Sequence, residues 1–432
     1  MKRFLSVLSF VLLLVFTLSL AAGCSSDAET GLNPAGSPST SISAPEPPVE
    51  PAEDFTYGSE SELSSAADAP VHADSSTTAE HYSEAPGQGQ QTPPSIHPGL
   101  LTAGEWNDNE NHSFLLNLIQ TNENFRTFES MWQFDLTNQV KAIVTDGENP
   151  VNNSRVELLD AQGNVIYSAR TNNKGVAYLF TNLRSTEQNA VAHIRASSAT
   201  SVMKEFDPAV SSYDFSVSSQ TAPKSLDLTF VIDTTGSMGD ELEYLKMELE
   251  DIIRNVSYNN SNMDIRLSVN VYRDVGDDYV VRSTPFENDI NNQIAFLRAQ
   301  RAQGGGDWEE AVEQALADAL EDHDWNDSAT AKLMFLVLDA PPHNTESIRN
   351  EMHRLTALSS DMGVRIIPIA SSGIDKVTEF LLRTLSAATG GTYVFLTDHS
   401  GIGEPHIDPT IEQYTVELLD ELIVRVINEY LE

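Results

Sequence analysis

The sequence predicts a mixed α/β protein whose C-terminal half forms a doubly wound, mostly parallel sheet, preceded by a small all-β sandwich and a disordered linker. Three observations lead to this prediction. After Pro223, apolar strands alternate with amphipathic helices, which is typical of a parallel sheet covered on both faces. Before it, short strands alternate with DG, QGN and NNKG turns. Still earlier, a Ser-, Pro- and Glu-rich stretch lacks apolar periodicity.

The N-terminus has the pattern of an export signal. Lys2 and Arg3 precede the apolar run FLSVLSFVLLLVFTLSL, which ends in small residues before Cys24. As a transmembrane helix, its roughly 17 apolar-dominated residues are only marginally long enough. The ending LAAGC resembles the lipobox of bacterial lipoproteins, with Ala21 where leucine is commoner. The resemblance implies a signal peptide at 1–23, lipidation of Cys24, and a chain anchored to a membrane of the cell envelope and exposed outside the cytoplasm.

The cysteine content bears on that prediction. Cys24 is the only cysteine in the chain, so no intrachain disulfide can form and the thiol has no other evident role. The alternative is an ordinary secretory signal followed by an idle cysteine. Several acyl chains on one residue would anchor the protein far more firmly than one.

Residues 24–97 are predicted to form a disordered tether. Serine, proline and glutamate dominate this segment, and such a composition cannot bury enough apolar surface to offset its ordering entropy. A flexible chain of about 70 residues has an rms reach of about 45–50 Å. The tether would therefore hold the folded part away from the anchor.

Two smaller regions follow the tether. Residues 98–137 are predicted to be a short helical lead-in, because NENHSFLLNLIQ places its apolar residues on one helix face. Residues 138–222 contain about seven short alternating strands, as in an antiparallel sandwich. The run VTDGENPVNNSRVELLDAQGNVIYSARTNNKGVAYL resembles the carboxypeptidase-regulatory-like β-sandwich, a common spacer in bacterial surface proteins. No catalytic constellation lies in either region.

The charge of the chain limits its partners. Asp and Glu number 64 against 25 Lys and Arg, which gives a net charge of −39. Such a surface repels phosphate backbones, so we expect no nucleic-acid partner. Acidity also suits a cation-binding protein, although most of these carboxylates should be solvated.

Three loops within residues 223–432 carry oxygen ligands where strands end or helices begin. DTTGSM contains Asp233, Thr235 and Ser237, GGGDWEEA contains Asp307, and VLDAPPH contains Asp339. Loops that follow parallel strands meet at one edge of the sheet, so we expect these side chains to converge. An all-oxygen set of this kind suits a hard cation such as Mg²⁺.

These loops resemble the von Willebrand factor type A domain and its metal-ion-dependent adhesion site, over roughly the C-terminal half of the chain. The D-x-T-x-S pattern of that family matches Asp233, Thr235 and Ser237, and its later strand-end aspartate matches Asp339. Many members use a threonine as the remaining ligand, where this sequence offers Asp307. The combination of YRD, GGGD and DAPPH resembles a hemicentin-like subgroup.

The resemblance implies a Rossmann-like fold, a bound Mg²⁺, Mn²⁺ or Ca²⁺ ion, and no catalytic turnover. In that family, an open coordination position of the ion accepts a carboxylate from a partner protein. The positive end of the helix that begins near Met238 favours the same anion. The residues alone do not decide whether Asp307 would bind the ion directly or through water.

Simpler interpretations exist for several of these residues. Asp233 alone fits a helix N-cap. Asp240 and Glu241 occupy positions where integrin β subunits carry a second cation, but acids in a first helical turn are also ordinary dipole partners. Asp274 reads as part of a solvated acidic loop, and His343 as a turn residue beside the site.

Three alternative functions differ in class from cation-dependent binding. An aspartic peptidase is disfavoured because Thr234 interrupts the D-T-G tripeptide. A haloacid-dehalogenase-like, Mg²⁺-dependent phosphotransferase would use Asp233 as a nucleophile. It also needs a later acid pair and a phosphate-binding lysine, and only Lys332 and Lys376 lie beyond residue 300. In a structural scaffold the cation would only stiffen the fold. We therefore predict an envelope-anchored binding protein without enzymatic activity.

Overall fold

The computed structural model describes residues 98–220 and 224–432. The predicted signal peptide, the lipidation site at Cys24 and the tether lie outside the described residues and stay predictions. Within the described ranges, no helix combines the length and apolar character that crossing a bilayer requires.

The described residues form strands and helices in the following order along the chain. The strands are β1 (Thr102–Trp106), β2 (Gln139–Asp146), β3 (Asn149–Pro150), β4 (Arg155–Leu159), β5 (Val165–Arg170), β6 (Val176–Phe180), β7 (His193–Ser197), β8 (Ser201–Glu205), β9 (Ser212–Ser216), β10 (Ser225–Asp233), β11 (Asp264–Tyr272), β12 (Val281–Ser283), β13 (Ala331–Leu338), β14 (Val364–Ala370), β15 (Tyr393–Leu396) and β16 (Glu417–Leu418). The α-helices are α1 (His112–Thr121), α2 (Glu123–Trp132), α3 (Leu242–Asn259), α4 (Ile290–Arg298), α5 (Val312–Ala317), α6 (Glu346–Met362), α7 (Lys376–Thr389) and α8 (Leu419–Leu431).

An eight-stranded sheet forms the centre of the C-terminal part, in the order β12-β11-β10-β13-β14-β15-β1-β16. The five strands from β11 to β15 in this order run parallel to one another, and β12 and β1 run antiparallel to their neighbours. Helices α3, α4 and α8 share one apolar cluster with the sheet, and α5, α6 and α7 share another. Every residue of β10, β13 and β14 is buried, as expected for strands covered on both faces. The predicted mixed α/β fold with a largely parallel sheet is therefore confirmed.

The short helical lead-in predicted at 98–137 contains a strand as well as helices. Besides α1 and α2, this segment contributes β1, which pairs antiparallel with β15. Gly104 lies in the middle of β1, and a Cβ there would lie 2.5 Å from Phe395 and 2.7 Å from Tyr414. The two rings thus require a glycine, and a glycine weakens the strand signal in the sequence. The last helix, α8, begins at Leu419, directly after the short strand β16.

Residues 139–216, within the span assigned to a sandwich, form two four-stranded sheets. One contains β3, β2, β6 and β9, and the other contains β5, β4, β7 and β8. The resemblance to the carboxypeptidase-regulatory-like family stays a prediction.

These two sheets do not form an independent spacer. Their buried residues belong to the same hydrophobic cluster as α6 and α7, and all described residues fall in one compact unit. The Tyr167 hydroxyl donates to the Ala388 carbonyl over 3.2 Å, and Arg365 Nη2 donates to the Arg170 carbonyl over 2.6 Å. This packing removes the apolar outer faces of α6 and α7 from water, which explains why the two sheets lie against these helices.

Candidate metal centre

The candidate site lies at the carboxyl edge of the parallel strands. β10 ends at Asp233, and its neighbours β11 and β13 end beside it at Tyr272 and Leu338. Asp339 follows Leu338 directly. Since β11 lies on one side of β10 and β13 on the other, β10 marks the point where the winding of the sheet reverses. Crevices at such points are the usual ligand sites of open α/β sheets.

Backbone hydrogen bonds join the three predicted loops. The Gly236 N–H donates to the Gly304 carbonyl over 3.0 Å, which links DTTGS to the glycine loop. The Glu310 N–H donates to the Pro341 carbonyl over 2.9 Å, which links the glycine loop to DAPPH. Gly304 has φ +85°, a conformation that glycine adopts without strain. The loops are therefore held together by main-chain contacts as well as by side chains.

Four of the five predicted ligands form one connected group. Asp233 Oδ1 accepts hydrogen bonds from the Thr235 N–H over 2.8 Å and from the Thr235 hydroxyl over 2.7 Å. The Thr235 and Ser237 hydroxyl oxygens lie 3.1 Å apart. Burial and the charge of Asp233 raise the pKa of Asp339, and Ser237 opposes this rise, so Asp339 lies near both residues. The structure thus brings Asp233, Thr235, Ser237 and Asp339 together at the strand ends.

Among the buried carboxylate oxygens that have no hydrogen-bond partner in the described residues, three belong to Tyr272's acidic neighbours at this edge. They are Asp233 Oδ2, Asp339 Oδ1 and Glu310 Oε2. The three residues are 0%, 3% and 2% exposed. Burial, followed by the charges of all three carboxyls, raises the pKa of the Tyr272 hydroxyl, so the three acids lie near this common neighbour. Unpaired buried carboxylate oxygens are costly, and several on neighbouring side chains fit a bound cation.

The ionisation of these carboxyls reflects the same crowding. Burial raises the pKa of Asp233, and burial together with the Asp233 charge raises that of Asp339. Burial, followed by the charges of Asp233, Asp274 and Asp339, raises the pKa of Glu310 to about 9. A divalent cation would remove this repulsion and pair the orphaned oxygens. The donor set of carboxylate and hydroxyl oxygens fits a hard ion such as Mg²⁺, Mn²⁺ or Ca²⁺.

Asp307, the fifth predicted ligand, is not part of this group. It is exposed, and its carboxylate lies with Asp274 and His343. The bridge between Glu310 and Pro342 instead carries Glu310, three residues further along, toward Asp339. The sequence analysis missed Glu310. The sequence does show that GGGDWEEA has further acids immediately before a helix. Spacing alone, however, does not distinguish Glu310 from Glu309.

The acids after the DTTGS loop have protein partners. A 3₁₀ turn at Gly236–Asp240 precedes α3, which begins at Leu242. Asp240 Oδ2 accepts a hydrogen bond from the Glu404 N–H over 2.5 Å, and Glu241 Oε1 lies 2.7 Å from His406 Nε2. These contacts hold the loop that follows β15 against the two acids, while Asp240 Oδ1 is buried without a hydrogen-bond partner in the described residues.

The raised pKa values predict a pH dependence of stability in the metal-free chain. Between the ordinary value of 4.5 and about 9, folded Glu310 holds more proton than the unfolded chain does. The free energy of unfolding therefore falls as pH rises through this interval. We expect the chelated chain to unfold at higher temperature as pH is lowered from about 9 toward neutrality, and Glu310→Gln to flatten this trend. Thermal unfolding in chelator across that range tests the prediction, and parallel curves for the two proteins would contradict it.

Comparison with known proteins identifies part of the chain. Residues 227–402 match the family model of the von Willebrand factor A domain. The largely parallel sheet fits the fold of that family. This part of the chain is therefore similar to the von Willebrand factor A domain, a class that is generally non-enzymatic and serves in protein interaction.

Two curated relatives and one solved structure resemble the chain. An ariadne-like RING finger protein, R811, of Acanthamoeba polyphaga mimivirus is 29% identical over 214 residues, which is 46% of this chain and 20% of that protein. Alpha-protein kinase vwkA of Dictyostelium discoideum is 29% identical over 126 residues, which is 29% of this chain and 20% of the kinase. The chain thus spans about a fifth of the length of each. The crystal structure of the conserved hypothetical protein BatB from Bacteroides thetaiotaomicron is 12% identical with a TM-score of 0.33, over 48% of this chain and 98% of that one.

Proposed function

We propose that the von Willebrand factor A-like domain binds a divalent cation and, through it, a carboxylate of a partner protein. Asp233, Thr235, Ser237 and Asp339 would hold the ion, with Glu310 beside it. The observation that carries this proposal is the set of buried, unpaired oxygens on Asp233, Asp339 and Glu310. The chain would then be a binding protein whose contact depends on the ion.

The charge of the site supports an open, electrophilic ion. Asp233 and Asp339 supply two carboxylates, and the Thr235 and Ser237 hydroxyls add no charge. Glu310, with a pKa of about 9 before the ion binds, is the weakest acid of the three. The ligands therefore bring few negative charges to a dication, and the ion retains affinity for an external carboxylate.

A capture experiment tests this function. The full chain is immobilised and exposed to an extract of the native cell envelope with Mg²⁺ or with chelator, and the captured proteins are identified. We expect a partner that binds with Mg²⁺, is lost with chelator, and is released by an excess of an acidic peptide.

Two variants sharpen the experiment. Asp339→Asn should lose the partner while keeping the unfolding temperature of the chelated parent. Asp322→Asn changes an exposed acid in the connection to β13 and should capture normally. Identical captured sets with Mg²⁺, with chelator and with Asp339→Asn would overturn the proposal. A partner that survives in Asp339→Asn while Mg²⁺ binding is lost would leave the cation a purely structural role.

We also propose that the chain is lipid-anchored in the cell envelope through Cys24, with residues 24–97 as a tether. The support is the lipobox-like ending of the N-terminal apolar run. Cys24→Ser should shift the protein from the membrane fraction to the soluble fraction. An unchanged membrane fraction would contradict lipid anchoring at this residue.

A further inference from the structure

A second group of ligands lies beside the candidate centre. Asp274, Asp307 and His343 each place one ligand atom so that all three atoms lie within 4.8 Å of one another. Asp274 follows β11 after Arg273, Asp307 ends the glycine loop, and His343 closes DAPPH. Two loops of the first site, the glycine loop and DAPPH, therefore meet the loop after β11 here.

Local contacts fix the positions of these side chains. His343 Nε2 lies 3.2 Å from Asp274 Oδ1, and Asp274 is only 8% exposed. Asp277 Oδ2 accepts a hydrogen bond from the Gly305 N–H over 2.9 Å, which ties the glycine loop to the Asp274 loop. Asp274 is thus not in the solvated loop that the sequence suggested.

A buried carboxylate nearby is also unpaired. Glu313, in the first turn of α5, is 7% exposed, and its Oε2 has no hydrogen-bond partner in the described part of the chain. His343 and Asp274 both influence the pKa of Glu313, so the three groups are neighbours. An ion beside His343, or a water bound to it, would offer this oxygen the partner that the described residues do not supply.

We infer that Asp274, Asp307 and His343 form a second cation site, distinct from the proposed Mg²⁺ site and selective for a borderline transition-metal ion such as Zn²⁺. Imidazole nitrogen together with carboxylate oxygen suits Zn²⁺ better than Mg²⁺ or Ca²⁺. Ligand atoms at about 2.0–2.2 Å from an ion lie roughly 3–4 Å from one another. Atoms already within 4.8 Å therefore need only a small closure.

The two sites share an acidic surrounding but differ in donors. Burial raises the pKa of Glu310, and charges from both groups, Asp233 and Asp339 on the one hand and Asp274 on the other, add to this rise, so Glu310 lies near both. The first site holds oxygen ligands only, while the second contains a nitrogen. A solution with both ions should consequently fill the first site with Mg²⁺ and the second with Zn²⁺.

Titration calorimetry on the full chain tests the inference. Zn²⁺ is titrated in excess Mg²⁺, which occupies the first site, and in a Cys24→Ser background, which removes the only thiol. We expect one Zn²⁺ per chain, bound at least about tenfold more weakly by His343→Gln and by Asp307→Asn. His399→Gln changes an exposed histidine and serves as the matched control, with unchanged Zn²⁺ affinity.

The outcomes separate this inference from the proposed function. If Asp233→Asn loses Mg²⁺ but keeps Zn²⁺, the two sites are independent, as inferred. If Asp307→Asn weakens Mg²⁺ binding and leaves Zn²⁺ binding unchanged, Asp307 belongs to the first site. The second site is then excluded while the proposed function stands. Equal Zn²⁺ binding by the parent, His343→Gln and Asp307→Asn also overturns the inference, because it marks Zn²⁺ bound elsewhere.

Discussion

Replacing Asp233 with asparagine is expected to weaken Mg²⁺ binding at least about 100-fold, because changes outside the ligand set alone cost about 10–100-fold in metal affinity. Asparagine keeps the shape of the side chain and an oxygen that can accept from the Thr235 N–H, now 2.8 Å from Asp233 Oδ1. It removes the negative charge that repels Asp339. The variant should therefore fold at least as well as the metal-free parent while losing the ion.

Calorimetric titration with Mg²⁺ and thermal unfolding together measure this effect. At a Mg²⁺ concentration of 100 times its dissociation constant, the parent should gain about 2.7 kcal/mol of stability, and Asp233→Asn should gain almost none. Asp322→Asn, which removes an exposed carboxylate, should behave as the parent does. Parent-like Mg²⁺ affinity in Asp233→Asn would rule out Asp233 as a ligand.

Replacing Asp108 with alanine is expected to lower the free energy of unfolding by about 3–5 kcal/mol. Asp108 and Arg383 form a two-pronged ion pair, with Nη2 to Oδ1 at 2.6 Å and Nε to Oδ2 at 2.8 Å. Both residues are almost fully buried, and Trp106 Nε1 also donates to Asp108 over 3.0 Å. Alanine would leave a buried guanidinium with Glu379, 3.3 Å away, as its remaining carboxylate partner.

Urea unfolding of the chelated chain measures this loss, and an exposed ion pair provides the matched control. Arg354 and Glu321 lie 2.8 Å apart, but their side chains are 46% and 44% exposed. Glu321→Ala should therefore cost at most about 1 kcal/mol. Similar losses of unfolding free energy in Asp108→Ala and Glu321→Ala would show that burial of the Asp108 pair adds nothing to stability.

The sequence predicts most of the candidate site because most of it is local. Asp233, Thr235 and Ser237 lie within one five-residue loop, and Asp339 follows an unmistakable buried strand. Which acid approaches Asp339, Asp307 or Glu310, depends on the path that the backbone takes through consecutive glycines. Gly304 and Gly305 both have positive φ, which a glycine run permits but does not dictate. The sequence therefore identifies the loop but not the acid.

The same distinction holds for the fold: features set by neighbouring residues can be predicted from the sequence, and features set by distant contacts cannot. Strands β10, β13 and β14 are continuous apolar runs, so the parallel centre of the sheet is visible in the sequence. β1 has a glycine at its middle and finds its partner only in the tertiary structure. The shared core between residues 139–216 and helices α6 and α7 is equally a tertiary property, because each apolar face alone fits either a separate spacer or a single unit.

The position of β1 also has a consequence for biosynthesis. Thr102, at the start of this strand, hydrogen-bonds to Thr397, 295 positions later in the chain. During synthesis, the early segment emerges long before the strand that completes its pairing. Contacts between such distant residues slow folding, and unpaired strand edges are prone to aggregation. We therefore expect translation and final closure of the sheet to be separated in time, so that the nascent chain depends on chaperones until its C-terminal third has been made.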